Sequence, residues 1–118
     1  MITFEQAKTL TEGQEVYFIY KNKIKEAKIT SLTVFEAGKT PRVTKNSCRI
    51  CYKVKGGTVE QIDWATERYT AHKLYLTKEE VAKDLITELS DKMMELEERL
   101  MAYQQKINEA KKFGGIQK

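Results

Sequence analysis

Cys48 and Cys51 stand three residues apart, a spacing that serves a redox pair at a helix start or half of a zinc knuckle. Here it falls in Ser47-Cys48-Arg49-Ile50-Cys51-Tyr52-Lys53-Val54, where Cys48, Ile50, Tyr52 and Val54 alternate with the other four at the period of a β-strand. Residues i and i+3 of a strand face opposite sides, so the two sulfurs diverge. With no second CxxC and no HxxxH, neither a metal site nor a disulfide is expected. Cys48 reads as a small core residue and Cys51 as a free thiol. His72, the single histidine, lies in Arg68-Tyr69-Thr70-Ala71-His72-Lys73, a setting that suits a surface or loop position better than acid–base work. Glu60, Asp63 and Glu67 run along one strand and its exit with no second carboxylate cluster to answer them, and their expected role is to neutralise basic neighbours. No glycine-rich phosphate loop, GxSxG or HExxH occurs. The chain is expected to be no enzyme and to carry no cofactor or metal.

Charge offers the other chemistry. The 118 residues hold 21 Lys+Arg against 17 Asp+Glu, and the whole excess lies before residue 77. Between Lys21 and Lys55 stand ten basic residues and only Glu26 and Glu36 as acids. Lys21, Lys23, Lys39, Arg42, Lys45, Arg49 and Lys53 are the binding candidates in this band, with Tyr17 and Tyr20 available for stacking where they are not core. Such a band suits phosphate or an acidic protein surface, and it also describes a solvated strand face that keeps sheet edges from aggregating. No run approaches the roughly 20 apolar residues of a membrane span, and the N-terminus lacks a signal pattern, so a soluble cytoplasmic protein with no membrane contact is expected.

The elements that position these residues follow from periodicity. Thr3-Phe4-Glu5-Gln6 has the form of a capping box and predicts one helical turn over residues 4–9, ended by Gly13. Glu15–Tyr20 and Ile24–Phe35 are strands joined at a polar turn, Lys21-Asn22-Lys23. In the second run Ala27 and Ile29 share one parity while Leu32 and Val34 share the other. A β-bulge at Thr30-Ser31 would return all four to one face and bend the strand. Glu36 to Asn46 is an exposed basic loop. Ser47–Lys55 and Thr58–Ala65 form a hairpin at Gly56-Gly57, for which a three-residue turn is preferred, setting Ile50 opposite Trp64 and Tyr52 opposite Ile62. A two-residue turn would instead set Ile50 opposite Asp63 on the buried face. Lys73–Leu76 is the fifth and last strand.

Five short strands with these connections predict an α+β chain with a small five-stranded SH3-like β-barrel over residues 1–76. The run Glu12-Gly13-Gln14-Glu15-Val16-Tyr17-Phe18-Ile19, answered by Ile24 to Leu32, resembles the opening of SH3-like and KOW-like barrels. Lys73-Leu74-Tyr75-Leu76-Thr77-Lys78-Glu79-Glu80-Val81 resembles a segment of small phage and prophage proteins that closes such a barrel and opens a helix. The resemblance implies a fold and a mobile-element origin. It also suggests a task, binding and blocking a host or defence protein. The basic loop departs from proline-peptide-binding SH3 domains, whose corresponding loop is acidic.

Thr77 and Glu80 read as a second capping box, after which no glycine or proline occurs until Gly114, so residues 77–113 predict a single helix and 114–118 a flexible tail. Lys78 to Lys112 would span about 52 Å. Ile86, Leu89, Met93, Leu96, Leu100, Tyr103 and Ile107 step alternately by three and four residues and continue to Ala110, the seam of a coiled coil. Homo-oligomerisation or a helical protein partner is the expectation. A parallel dimer is favoured, because antiparallel pairing would oppose the basic Lys92, Arg99 and Lys106, whereas parallel pairing sets Lys92 beside Glu97, although it also brings Lys106 near Lys111. The leading expectation is thus a small binding or adaptor protein on an oligomerisation stem, and the alternative is a basic nucleic-acid-binding protein. A small anionic ligand held between basic loops is also compatible with the sequence.

Overall fold

A computed structural model describes residues 1–116. Its elements in chain order are α1 (Phe4–Ala7), β1 (Glu15–Tyr20), β2 (Lys23–Phe35), β3 (Ser47–Val54), β4 (Glu60–Thr66) and α2 (Lys78–Gly114). The strands form one antiparallel sheet in the order β1-β2-β3-β4, curled into a half-barrel, and the fold is α+β. The chain divides into two compact units, Met1–Leu85 and the residues from Ile86 onward. Gln117 and Lys118 of the expected tail lie outside the described residues.

Local sequence explains each turn of the sheet. Lys21 and Asn22 both adopt positive φ, 50° and 62°, as a two-residue type I′ hairpin demands, and Tyr20 pairs with Lys23 across it. The register between β2 and β3 shifts between Ile29 and Ser31, so Thr30 is the extra residue of a bulge. Ala27 and Ile29 before the bulge, and Leu32 and Val34 after it, therefore pair with Val54, Tyr52, Ile50 and Cys48, the inward set of β3. Gly56, with φ 82°, turns the β3–β4 hairpin, and the Gly57 N–H donates to the Val54 carbonyl at 2.8 Å. The core gathers Val16, Phe18, Ala27, Ile29, Ile50 and Tyr52 from the sheet with Ile2, Phe4 and Leu74 from its flanks. The Thr3 capping box of α1 holds Phe4 and Ala7 against it.

Two sequence expectations fail in the sheet. Lys73–Leu76 is not a fifth strand, since only Tyr75 bridges to the sheet, exchanging both backbone hydrogen bonds with Tyr17 at 2.7 and 2.9 Å. The hairpin register also differs, because Ile50 lies opposite Asp63, Cys51 opposite Ile62 and Arg49 opposite Trp64. Asp63 and Ala65 thus face inward, while Ile62 and Trp64 lie on the outer face, where Trp64 stacks on Phe35 at 5.9 Å between ring centroids. The apolar set was the wrong guide to this register. The buried carboxylate is satisfied by backbone donors, so it tolerates the interior.

Both cysteines are free and buried. Burial pushes the Cys48 thiol above its ordinary range, and burial, followed by the Asp63 charge, does the same to the Tyr52 phenol. A raised folded-state pKa favours the neutral form, so this contribution to stability is complete below the unfolded pKa and falls away as pH rises through the folded one. Chemical unfolding is expected to show a stability that declines from about pH 9 upward, with native Cys48 resisting alkylation throughout. Thiol labelling as fast in native protein as in denatured protein would contradict this.

α2 begins at Thr77, whose hydroxyl accepts from the Glu80 N–H at 3.2 Å. Glu80 does not return to the Thr77 backbone as a full capping box requires, because its carboxylate meets the Met1 amino group. The first turns of α2 belong to the sheet unit, with Val81 buried against Tyr17 and Tyr75 and the Tyr75 hydroxyl donating to Asp84 at 2.8 Å. At the far end Gly115 takes φ 67°, the Ile116 N–H donates to Lys111 and the Gly115 N–H to Lys112. This is a Schellman cap, which ends α2.

Candidate functional site

A side chain holds the half-barrel together at one point where a strand ladder was expected. Asp63, 4% exposed, accepts from the backbone N–H groups of Trp64 (2.8 Å), His72 (3.0 Å), Lys73 (2.8 Å) and Leu74 (3.2 Å). The segment that passes this carboxylate reaches β1 at Tyr75 and also exchanges hydrogen bonds with Ile2 through Ala71 and Leu74. A carboxylate offers about four lone-pair sites, enough for these four donors. Asp63 is therefore a structural staple, and the other two carboxylates singled out in sequence have partners of their own: Glu60 accepts from Thr30 at 2.8 Å and Glu67 meets Asn46. No group of three or more His, Cys, Asp or Glu among the described residues is placed to hold a metal ion.

One side-chain staple leaves the rest of the seam between β1 and β4 open. A cleft of about 720 Å³ lies there, lined by Phe18, Ile19 and Tyr20 of β1, Ile24, Lys25 and Glu26 of β2, the end of β3 at Val54 and Lys55, Gln61 of β4, and Lys73. Phe18 is buried and stacks obliquely on Tyr52, while Tyr20 is 54% exposed. The Tyr52 hydroxyl donates to Gln61 Oε1 at 3.3 Å and thereby orients the amide at the cleft wall. Lys55 is paired with Glu26 at 3.3 Å. Lys25 is half-buried and Lys73 exposed, and neither has a carboxylate within ion-pair distance among the described residues.

The binding candidates read from the sequence do not share one surface. Lys21 and Lys23 flank the β1–β2 turn, with the Lys21 ammonium 5.4 Å from the centre of the exposed Tyr20 ring. Lys39, Arg42 and Lys45 are exposed in the β2–β3 loop, at the opposite end of a thirteen-residue strand that extends at most about 40 Å. Lys39 is paired with Glu36 at 3.2 Å. Arg49 and Lys53 lie on the outer face of β3, where Arg49 donates to Thr33 and its Nε is buried without a partner. Tyr17 is core, packed with Tyr75 and Val81, and has no face to offer a ligand. Lys25, Gln61 and Lys73 are not among those candidates, because only the fold brings them to one cleft.

The helical seam is the second candidate surface. Ile86, Leu89, Met93, Leu96, Leu100, Tyr103 and Ile107 are all exposed, by between 36% and 67%. The i,i+4 pair Glu88–Lys92 lies beside them at 3.3 Å. No helix among the described residues is long and apolar enough to cross a membrane. No protein-family model matches the chain, and no curated protein or solved structure matches it significantly.

Proposed function

We propose that the chain is a non-enzymatic binding protein, an SH3-like half-barrel carried on a helix that pairs in parallel with a second copy. The observation that carries this reading is the seam, seven large apolar side chains at coiled-coil spacing, every one exposed in the single chain. The bulge-bent β2 and the return of Tyr75 to the edge of β1 support the barrel part. Sedimentation of the intact protein is expected to show a dimer that dissociates on dilution. Oxidation of an Ala110→Cys variant is expected to yield a covalent dimer, since parallel chains bring equivalent positions together. A monomer at every concentration removes the proposal, and a dimer that resists this cross-link removes the parallel arrangement.

The resemblance to phage-type proteins extends the proposal to a host protein as the target of the barrel unit. Nucleic-acid binding is the second reading, supported by Arg42 and Lys45 standing exposed on one loop. It predicts retention on duplex DNA at low salt with a log–log salt slope of about −0.9 per phosphate contact, and no retention at low salt ends it.

A further inference from the structure

We propose that the cleft between β1 and β4 binds a phosphate monoester carrying a ring, of which a nucleoside monophosphate is the simplest form. Charge is the first argument. Lys55 and Glu26 neutralise one another, which leaves Lys25 and Lys73 as two ammonium groups at one cleft without carboxylate partners among the described residues. A phosphate monoester carries about −1.5 to −2 charges at neutral pH and matches them, whereas a phosphodiester or a single carboxylate leaves one lysine unanswered. The cations are lysines, compact point charges that serve tetrahedral phosphate, and no arginine fork for a planar carboxylate lines the cleft.

The remaining walls require more than an inorganic ion. Phe18 and Val54 present apolar surface, and Tyr20 adds a half-exposed ring. The volume of about 720 Å³ falls in the range of small-molecule sites, about 300–1,000 Å³, and free phosphate would leave most of it to water. Gln61 Oε1 is engaged by Tyr52, so the Gln61 amide nitrogen is the group left to donate to a ring or sugar acceptor. Ile19 supplies backbone groups as well. Tyr17 directs its N–H and C=O away from β2 toward Tyr75, and by the alternation of an antiparallel strand Ile19 directs its own to the same open edge. Cations, an oriented amide and an apolar floor thus converge at a place where the sheet fails to close.

The test is an amide-resolved NMR titration of the intact chain with adenosine monophosphate and uridine monophosphate, beside adenosine, uridine and inorganic phosphate. Both nucleotides are expected to shift Phe18 to Lys25, Gln61 and Lys73, and each fragment is expected to bind at least about tenfold more weakly. Lys25→Gln with Lys73→Gln is expected to weaken nucleotide binding at least about tenfold, with the single Lys73→Gln as the milder variant should the pair not fold. Lys39→Gln with Lys45→Gln, on the far loop, is expected to leave it unchanged. No perturbation by either nucleotide at millimolar concentration overturns the proposal. So does inorganic phosphate binding as well as the nucleotides, or undiminished binding by the Lys73→Gln variant. These outcomes concern the cleft alone and leave the helical pairing to its own test.

Discussion

Asp63→Ala is expected to destabilise the sheet unit by about 3–5 kcal/mol, the loss typical of removing one partner from a buried charged cluster. The substitution strands four backbone donors, those of Trp64, His72, Lys73 and Leu74, at 2.8 to 3.2 Å from where the carboxylate stood. It also releases the segment that carries Ala71, Leu74 and Tyr75 into the core and onto β1. Set against the 5–15 kcal/mol that stabilises a typical small domain, the loss threatens the fold at ambient temperature. Asp63→Asn keeps one acceptor oxygen and places an NH₂ among N–H donors, so an intermediate loss is expected. Urea unfolding followed by Trp64 fluorescence measures both. A change below about 1 kcal/mol for Asp63→Ala would show that the segment is held by its apolar contacts and the Tyr17–Tyr75 bridge alone.

The second large effect concerns the seam. Leu96→Asp with Leu100→Asp is expected to abolish the proposed dimer and to lower helicity at 222 nm. Each dimer would lose four buried leucines at about 1.5–3 kcal/mol apiece, besides the cost of placing carboxylates in an apolar seam. Without packing, most of the stability of a helix in water is gone, and unpaired segments of this kind are marginal. Both side chains are more than 60% exposed in the single chain, at 61% and 67%, so a monomer that never pairs has no contact to lose there. Unchanged sedimentation and helicity would show that these leucines bury nothing. The Trp64 transition is expected to stay where it is in the intact protein, because the substituted residues lie in the unit that begins at Ile86.

Features of the fold that depend on local chemistry were legible in the chain. The bulge was visible at Thr30 because two apolar pairs change parity across it, and a strand has no other way of keeping them on one face. The turn at Lys21-Asn22, the helical turn after Thr3 and the helix after Thr77 each carry residues suited to their backbone angles or free N–H groups. The candidate sites were less legible. Lys21, Lys23, Lys39, Arg42 and Lys45 are neighbours in charge along the chain, yet β2 carries them to its two ends, because a strand converts twelve intervening residues into distance. Tyr17 and Tyr20 look alike in sequence, and one is core while the other is exposed, since Tyr17 lies where the chain returns at Tyr75.

The sequence by itself determined the four strands of the sheet, the position of the bulge, the long helix and the spacing of its seam, because periodicity and capping act over a few residues and need no distant partner. Only the tertiary structure decided which way β4 faces. An aspartate is a poor inward residue on its own. It becomes a good one when the N–H groups of His72, Lys73 and Leu74, nine to eleven residues further along, have no other acceptor and converge on it. That single long-range satisfaction turned Ile62 and Trp64 outward, replaced the fifth strand with a staple, and left open the cleft at which Lys25, Gln61 and Lys73 meet.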